Sequence, residues 1–546
     1  MPHAELILTN ARIRTMDPRQ PYAEALAIAN GRIMAVGSAS EISALAGAGT
    51  RIHDQHGRYV MPGLIDSHTH GLWGATRDLL EVFVGFAANH TQLLDAIAER
   101  VATVAPGAWV IAGPWKSHLR AELGERPADL LDRIAPDTPI AIKDMTHHSL
   151  WVNSAAMRVA GITAATPNPD GGEIERDSQG NPTGILNESA LALVIRYMTH
   201  PSDEMARAVE YMVRYFNAQG ITAFKEPMAF EPDLQAYAAA DDAGILTLHM
   251  ATHLSRQSPF DVTMTPMDVL ADWRERYARP HIKTEYAKLF LDGVAPTHTA
   301  AFLEPYLGTD PDTHDPEAVL MLSPDVLAGE VTALDAAGYT VKMHAVGDRA
   351  VRAGLDAIEA ARTANGMSDL RHEIAHSSFI TAQDLPRFKS LNAVAEVSPK
   401  LWYPNPGTAG QRMVLGLERA ERCHPVKDLL HAGAKVVFGS DWPASAMAPA
   451  PWQGLSGLIS RRDPTGQFDG TVGADQAISL EQALPLFTIN GAEAMGRAEQ
   501  TGRLAAGYSA DLIVLANPLE TMNPEEIGAI EPAATVFEGR VVHGAL

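Results

Sequence analysis

Residues 62–71, "PGLIDSHTHG", complete an apolar run and carry two histidines, His68 and His70, one residue apart. Alternate residues of a strand point to the same side, so both imidazoles face one point. Two imidazoles directed at one point are typical of a metal site. The segment therefore predicts a strand whose end holds a metal, with further ligands at the ends of neighbouring strands.

Seven more apolar, strand-like segments follow in the middle of the chain, and helical patterns lie between most of them. They are TAFKEP (222–227), ILTLHMATHL (245–254), YAKLFLDG (286–293), YTVKMHAVGD (339–348), RHEIAHSS (371–378), NAVAEVSP (392–399) and AKVVFGSD (434–441). Eight strands that alternate with helices predict an α/β protein with a (β/α)8 TIM barrel. A doubly wound open sheet is the alternative, but the chain lacks its Gly-rich phosphate loop.

Both ends of the chain are β-rich, with hairpin signals such as Asn30-Gly31 between apolar runs. We therefore expect residues 1–60 and 497–546 to form one small β-sandwich domain, and residues 61–496 to form the barrel. The chain between His70 and Thr222 is too long for one crossover. It predicts an inserted cap subdomain, about residues 75–215, over the mouth at the carboxyl ends of the strands.

Polar side chains interrupt or end five of the eight apolar strands, where burial costs free energy unless they are paired. His68 and His70 end the first strand, and four later strands contribute one residue each: Lys288, His344, His376 and Asp441. The carboxyl ends of the strands of a barrel meet at one mouth. We therefore expect these six side chains to converge.

Four neutral imidazoles and a carboxylate suit Zn²⁺, with Mn²⁺, Fe²⁺ or Co²⁺ as alternatives. The ammonium form of Lys288 is unfavourable beside a dication, but its neutral amine can react with CO₂ to give an anionic carbamate. Burial lowers the pKa of lysine and favours this step. Such a carbamate could bridge two metals. The alternative is a structural Lys288 paired with Asp292.

The motifs "PGLIDSHTH", "KLFLDG", "HAVGD", "AHSS" and "GSDWP" resemble those of the amidohydrolase superfamily of metal-dependent hydrolases. The closer resemblance is to the YtcJ-like branch, amidohydrolase family 3, which includes N-substituted formamide deformylases. It covers nearly the whole chain, including "WVNSAAM" (151–157), "GGEIERDSQGNPTGILNESA" (171–190) and "GYSADLIVLANP" (507–518). The number and order of the motifs carry the resemblance, since no single one is decisive.

This resemblance implies a binuclear metal centre. His68, His70, Lys288 and Asp441 would hold the more buried metal, and carbamylated Lys288, His344 and His376 would hold the second. A hydroxide that bridges the metals would be the nucleophile. Asp441 would take the proton of the hydroxide and pass it to the leaving amine.

The chain departs from the family at the end of the second strand, where Lys225-Glu226 stands in place of a frequent His-Asp. Lys225 is therefore a rival for the bridging lysine. Alternatively, Lys225 and Glu226 form an ion pair that lines the pocket, or they contact substrate. Further candidates for the substrate pocket, each of which could instead be an ordinary packed or hydrogen-bonded side chain, are Trp115, His148, Trp151, His253 and Trp442.

The chain has 546 residues and a net charge of −23, with 66 acidic against 43 basic residues. This charge repels nucleic acid and anionic lipid, so we expect neither as a partner. Cys423 is the only cysteine, which excludes an intrachain disulfide. No signal-peptide pattern begins the chain and no apolar run could span a bilayer, which favours a cytoplasmic protein. The oligomeric state stays open, with a homodimer as one alternative.

These observations predict a metal-dependent hydrolase that cleaves an amide or N-acyl C–N bond of a small molecule. A mononuclear deaminase of a ring amidine is a weaker alternative, because Asp348 stands where that class usually has a glutamate. An ester or lactone hydrolase is a second alternative, because the same nucleophile attacks both kinds of carbonyl. A non-catalytic binding protein would be expected to lack some ligands, and here all are present.

Overall fold

The computed structural model describes residues 3–85, 88–105, 107–144, 149–169, 171–258, 261–398, 402–444 and 446–546. Eight strands form one parallel sheet in which each strand lies beside the next along the chain. They are β1 (Leu64–Asp66), β2 (Ile221–Ala229), β3 (His249–Ser255), β4 (Ile282–Phe290), β5 (Thr340–Ala345), β6 (Glu373–His376), β7 (Val394–Val397) and β8 (Lys435–Phe438). The predicted (β/α)8 barrel is confirmed.

Hydrogen bonds join the carboxyl ends of β1 and β8. The backbone N–H of Ser67 donates to the carbonyl of Phe438 (2.8 Å), and that of Asp441 donates to the carbonyl of His68 (2.7 Å). The carboxylate of Asp66 accepts the N–H of Ser440 at 2.9 Å. The segments "SHTH" and "GSD" consequently lie side by side.

Helices follow the strands of the barrel. They are α1 (Ser202–Ala218), α2 (Glu231–Asp242), α3 (Met267–Tyr277), α4 (Pro324–Ala336), α5 (Asp348–Asn365), α6 (Leu385–Ser390), α7 (Val426–His431) and α8 (Pro451–Ser460). Helix α5 shows why such segments are helical and pack inward. Its buried Val351, Leu355 and Ile358 recur at a spacing of three to four residues, which makes one apolar face.

Two further sheets come from the ends of the chain. One has four strands in the order Arg32–Gly37, Ala25–Ala29, Leu6–Thr9 and Arg51–Asp54. The other has six strands in the order Arg540–Gly544, Ala534–Phe537, Leu512–Leu515, Tyr59–Pro62, Arg12–Arg14 and Tyr22–Ala23. Leu8, Leu26, Val60, Leu512 and Val536 lie in one apolar core, so residues from both ends of the chain pack together.

The chain divides into two compact units. The first comprises residues up to Gly71, Met212–Arg256 and Thr265–Leu546, and so contains both the barrel and the end sheets. The second comprises Leu72–Tyr211 and Gln257–Met264, which includes most of the range predicted for the insertion. The predicted limits of the β-sandwich domain stay a prediction.

The second unit has its own six-stranded sheet. The strand order is Gly172–Arg176, Pro182–Glu188, Ser149–Val152, Ile140–Asp144, Val110–Trp115 and Val82–Phe83. Its longer helices are Gly71–Leu79, His90–Val101 and Ser154–Ala160. Leu93, Ile97, Ile140 and Ile142 pack in its apolar core.

The remaining short α-helices lie outside the strand–helix alternation. They are Ala39–Ser43, Ala128–Asp132, Ala192–Ile195, Pro406–Leu415, Leu417–Ala420, Leu480–Ala483, Ile489–Ala494 and Pro524–Gly528. Across the described ranges, none of the helices has both the length and the hydropathy that crossing a lipid bilayer would require.

Close packing of β1 on β2 explains why the opening motif has a glycine, Gly63, directly before β1. A Cβ atom at Gly63 would overlap the side chain of Thr222 at the start of β2. We expect Gly63→Ala to lower the free energy of unfolding by about 1–3 kcal/mol because β1 and β2 must separate. Urea denaturation measures the change.

The matched control is Gly329→Ala in the exposed part of α4, where an added Cβ meets no atom within 4 Å. We expect this control to stabilise the protein by about 0.5–1 kcal/mol, because alanine favours a helix over glycine. Equal effects of the two substitutions would show that close packing of β1 on β2 does not require the glycine.

Candidate metal centre

His68 and His70 point their Nε2 atoms at one carboxylate oxygen. The Oδ1 atom of Asp441 lies 3.6 Å from Nε2 of His68 and 3.7 Å from Nε2 of His70. All three side chains are buried. The alternation that put both histidines on one side of the chain therefore places them beside the end of β8, as expected.

The Nδ1 atoms of the same two histidines face other carboxylates. Nδ1 of His68 lies 2.6 Å from Oε2 of Glu396 on β7. Nδ1 of His70 lies 3.5 Å from Oε1 of Glu226 on β2. Each imidazole thus has one nitrogen toward Asp441 and the other toward a glutamate.

His376 and His344 lie next to this pair. The ring centroid of His376 is 4.8 Å from that of His68 and 4.5 Å from that of His344. Nε2 of His344 is 3.2 Å from the carbonyl oxygen of Gly293. His376 and Asp441 both have left-handed backbones, with φ of 68° and 53°, a conformation that costs free energy outside glycine and is frequent at functional sites.

Lys288 is buried among these histidines on β4. Its charge contributes to lowering the pKa of four of them, His68, His70, His344 and His376. Burial lowers the pKa of Lys288 itself to about 7. The alternative partner, Asp292, instead accepts hydrogen bonds from the backbone N–H groups of Ala301, Val346 and Gly347, each at 2.9 Å.

The surroundings of these four histidines favour the neutral form of each imidazole. Burial is the largest cause that lowers the pKa of His70 to about 4 and that of His344 to about 3. It also holds the pKa values of His68 and His376 well below the usual value of histidine. A neutral imidazole keeps one lone pair for a metal, so these side chains have the protonation state that ligation needs.

The donor set fits a divalent metal. Among the described residues, two groups of side chains have ligand atoms within 4.8 Å of one another, and His68 belongs to both. One group is His68, His70 and Asp441, and the other is His68, His376 and Glu396. Buried imidazole and carboxylate ligands at this spacing suit Zn²⁺ and related first-row metals.

The predicted ion pair between Lys225 and Glu226 is wrong. Adjacent residues of a strand point to opposite faces, and these two side chains accordingly have different partners. Lys225 pairs with Glu373 and donates to the carbonyl of Ala494 at 3.0 Å. Glu226 accepts the hydroxyl of Tyr237 at 2.8 Å and faces His70.

The other pocket candidates have varied surroundings. His253 is buried, with Nδ1 2.9 Å from the carbonyl oxygen of Glu226. The Trp442 ring packs against Tyr215 and Phe216, and its carbonyl accepts the N–H of His70 at 2.8 Å.

Trp115 and Trp151 lie in the second unit. Their rings meet edge to face at 6.0 Å in the apolar core of that unit. His148 lies outside the described residues. Substrate contact by any of the pocket candidates stays a prediction.

Three charged residues inside the barrel were missed by the reasoning from sequence. Glu396 contacts His68, and Lys342 donates to the carbonyl of Ser67 at 2.5 Å while pairing with Glu373 at 3.1 Å. The three side chains, those of Lys342, Glu373 and Glu396, are completely buried. Each stands in an apolar strand segment, so the rule that selected Lys288 and His376 would also have selected them.

Imidazole and carboxylate side chains gathered at the carboxyl ends of parallel barrel strands define a metal-dependent barrel enzyme. The chain belongs to the amidohydrolase family, whose model matches residues 51–543. It is accordingly a hydrolase, and the family resemblance found in the sequence motifs is confirmed.

Similar proteins match along most of their length. The chain is 29% identical to Protein LONG AFTER FAR-RED 3 of Arabidopsis thaliana, over 94% of this chain and 87% of the relative. It is 28% identical to N-substituted formamide deformylase of Arthrobacter pascens, over 94% of this chain and 93% of that relative. An uncharacterized metal-dependent hydrolase from Pyrococcus furiosus has the same fold, with a TM-score of 0.74 and 23% identity over 94% of this chain and 99% of that one.

Asp292 offers a test of how the ends of β4 and β5 are held. We expect Asp292→Ala to lower the free energy of unfolding by about 3 kcal/mol or more, because three backbone N–H groups lose their buried acceptor. Urea denaturation of metal-free protein measures this loss.

Lys288→Met supplies the control, since it removes the rival partner of Asp292. If Asp292 acts on the backbone, the two substitutions should be additive to within about 0.5 kcal/mol. A larger coupling would mean that a pair of Asp292 and Lys288 holds this region instead.

Proposed function

We propose that the chain is a binuclear metal-dependent amidohydrolase that cleaves an amide or N-acyl C–N bond of a small molecule. The observation that carries this proposal is the convergence of His68 Nε2 and His70 Nε2 on Asp441 Oδ1. Buried Lys288 lies close enough to the histidines for its charge to help lower their pKa values, after burial itself. The similarity to an N-substituted formamide deformylase supports a carbonyl–nitrogen bond as the target.

The residues divide into two ligand sets. His68, His70, Lys288 and Asp441 would hold one divalent metal, and Lys288, His344 and His376 would hold the second, with Zn²⁺ preferred for its match to imidazole and carboxylate. As a carbamate, Lys288 would contribute to both sets; its neutral amine would add to CO₂ and release a proton. The bound metals would supply an activated water and polarise the scissile carbonyl.

Asp441 moves the proton in the proposed reaction. Its carboxylate lies beside both ligand histidines and takes the proton of the attacking water. It returns that proton to the leaving nitrogen, which must be protonated to depart as an amine. The polarised carbonyl and the placed carboxylate together account for hydrolysis without a nucleophilic side chain.

Metal removal and Asp441→Asn test the reaction. We expect chelation to abolish hydrolysis of N-formyl and N-acyl amines, and added Zn²⁺ to restore it. Asp441→Asn should lower kcat by about 100-fold or more, because general acid–base catalysis is lost. The exposed Asp325→Asn in α4 is the control and should keep the wild-type kcat. Activity that survives chelation would rule out the proposal.

The products distinguish the alternative reactions. Release of an amine and a carboxylic acid supports amide hydrolysis. Release of ammonia from ring amidines would identify a deaminase instead. Turnover of esters or lactones alone would identify an ester or lactone hydrolase.

The two buried lysines form a matched pair for testing the bridge. We expect about two metals per chain in protein purified without chelator, since each ligand set holds one. Lys288→Met should reduce this content to one metal or none, while Lys225→Met should retain the wild-type content because Lys225 pairs with Glu373. Elemental analysis of both variants measures this difference, and the reverse pattern would make Lys225 the bridge.

A further inference from the structure

Each histidine of the opening motif lies between two carboxylates. Asp441 faces the Nε2 atoms of both His68 and His70, at 3.6 and 3.7 Å. On the opposite side of the rings, Glu396 and Glu226 face Nδ1 at 2.6 and 3.5 Å. The two glutamates come from different strands, β7 and β2, yet they meet the same atom of the two rings.

Glu396 is held firmly in this position. Its carboxylate also accepts the backbone N–H of His376 and the hydroxyl of Ser398, both at 3.1 Å. Gly439 on the adjoining segment leaves the room that this contact needs, since a Cβ there would lie 2.7 Å from Oε1 of Glu396. The hydrogen bonds of Glu396 therefore link the His68 ring to the backbone of His376.

Glu226 has a support of its own. Oε2 accepts the hydroxyl of Tyr237 on α2 at 2.8 Å, which leaves Oε1 toward Nδ1 of His70. Both Glu226 and Tyr237 are buried. The hydroxyl of Tyr237 thus sets the direction of the carboxylate that faces His70.

We propose that Glu396 and Glu226 are positioning residues that fix the ring orientation and the tautomer of His68 and His70 for a metal bound at Nε2. This inference rests on the metal centre of the proposed function. A neutral imidazole carries one proton, and a carboxylate beside Nδ1 keeps the proton on that atom. The lone pair of Nε2 then faces Asp441, where the metal would bind, and the ring does not rotate.

A direct metal ligand is the competing role for Glu396, because its carboxylate also lies near His376. The short distance, however, joins Glu396 to Nδ1 of His68, while Nε2 faces Asp441. When a histidine binds a metal through one ring nitrogen, a carboxylate hydrogen-bonded to the other ring nitrogen holds the histidine in place. The two roles differ in metal stoichiometry, which an experiment can measure.

The first test titrates metal-free protein with Zn²⁺ against a competing fluorescent chelator. We expect Glu396→Gln and Glu226→Gln to weaken Zn²⁺ binding by about 10- to 100-fold at unchanged stoichiometry. In other metalloproteins, loss of the hydrogen-bond partner of a metal-binding histidine lowers the affinity by this amount. Tyr237→Phe should weaken binding less than Glu226→Gln. The control is Glu330→Gln, which removes a carboxylate paired with Arg256 and should leave the affinity unchanged.

Two outcomes of this titration would overturn the proposal. Wild-type affinity in both glutamine variants would show that the carboxylates do not position the histidines. Loss of one equivalent at saturating Zn²⁺ in Glu396→Gln would make Glu396 a ligand. If the wild type itself binds no metal, the proposed function fails and the next measurement tests the positioning alone.

That measurement is the ring ¹⁵N spectrum of histidine-labelled, metal-free protein, with His68 assigned through its loss in His68→Gln. We expect the wild-type ring to carry its proton on Nδ1. In Glu396→Gln the amide can donate to Nδ1, so the Nε2-protonated tautomer should gain population. An Nε2-protonated ring in the wild type, or an identical spectrum in Glu396→Gln, would contradict the proposal even if the variant is less stable.

Discussion

The closure of β1 against β8 is the constraint on which the candidate centre depends. Strand β1 is short, and its backbone continues directly into the segment that carries His68 and His70. Three hydrogen bonds, from Ser67, Ser440 and Asp441, tie that segment to the end of β8. Because the same bonds join β1 to β8 and place Asp441 beside both imidazoles, one set of contacts determines both the fold and the geometry of the candidate ligands.

A network of charged side chains buried inside the barrel contacts the segment that joins β1 to β8. Glu373 lies between Lys225 and Lys342, and Lys342 also donates to the carbonyl of Ser67. Removing one partner from such a buried pair typically costs about 3–5 kcal/mol, because the remaining charge is left without compensation. The barrel interior therefore contains a buried charge network, which contacts the segment that carries His68 and His70 through the carbonyl of Ser67.

Sequence reasoning predicted the barrel and the convergence of His68, His70 and Asp441 for a physical reason. Strands of a parallel barrel end at one mouth, so residues at strand ends meet regardless of their distance along the chain. The partner of Lys225 could not be predicted in this way, because Glu373 lies 148 residues away. That contact depends on which strand faces which across the barrel interior. Glu396 could have been predicted as a site residue, because a glutamate inside an apolar strand costs free energy unless it is paired.

The backbone conformations of His376 and Asp441 extend the same argument. Both residues adopt positive φ, and both are anchored through backbone N–H groups, to Glu396 and to the carbonyl of His68 respectively. A left-handed residue persists only where its surroundings impose it. The hydrogen bonds that hold these two backbones involve His68 or its partner Glu396, so the conformations of these candidate ligands depend on one another. Hydrogen bonds within the protein therefore hold both candidate ligands, and the cost of their backbone conformations falls within the folding of the barrel.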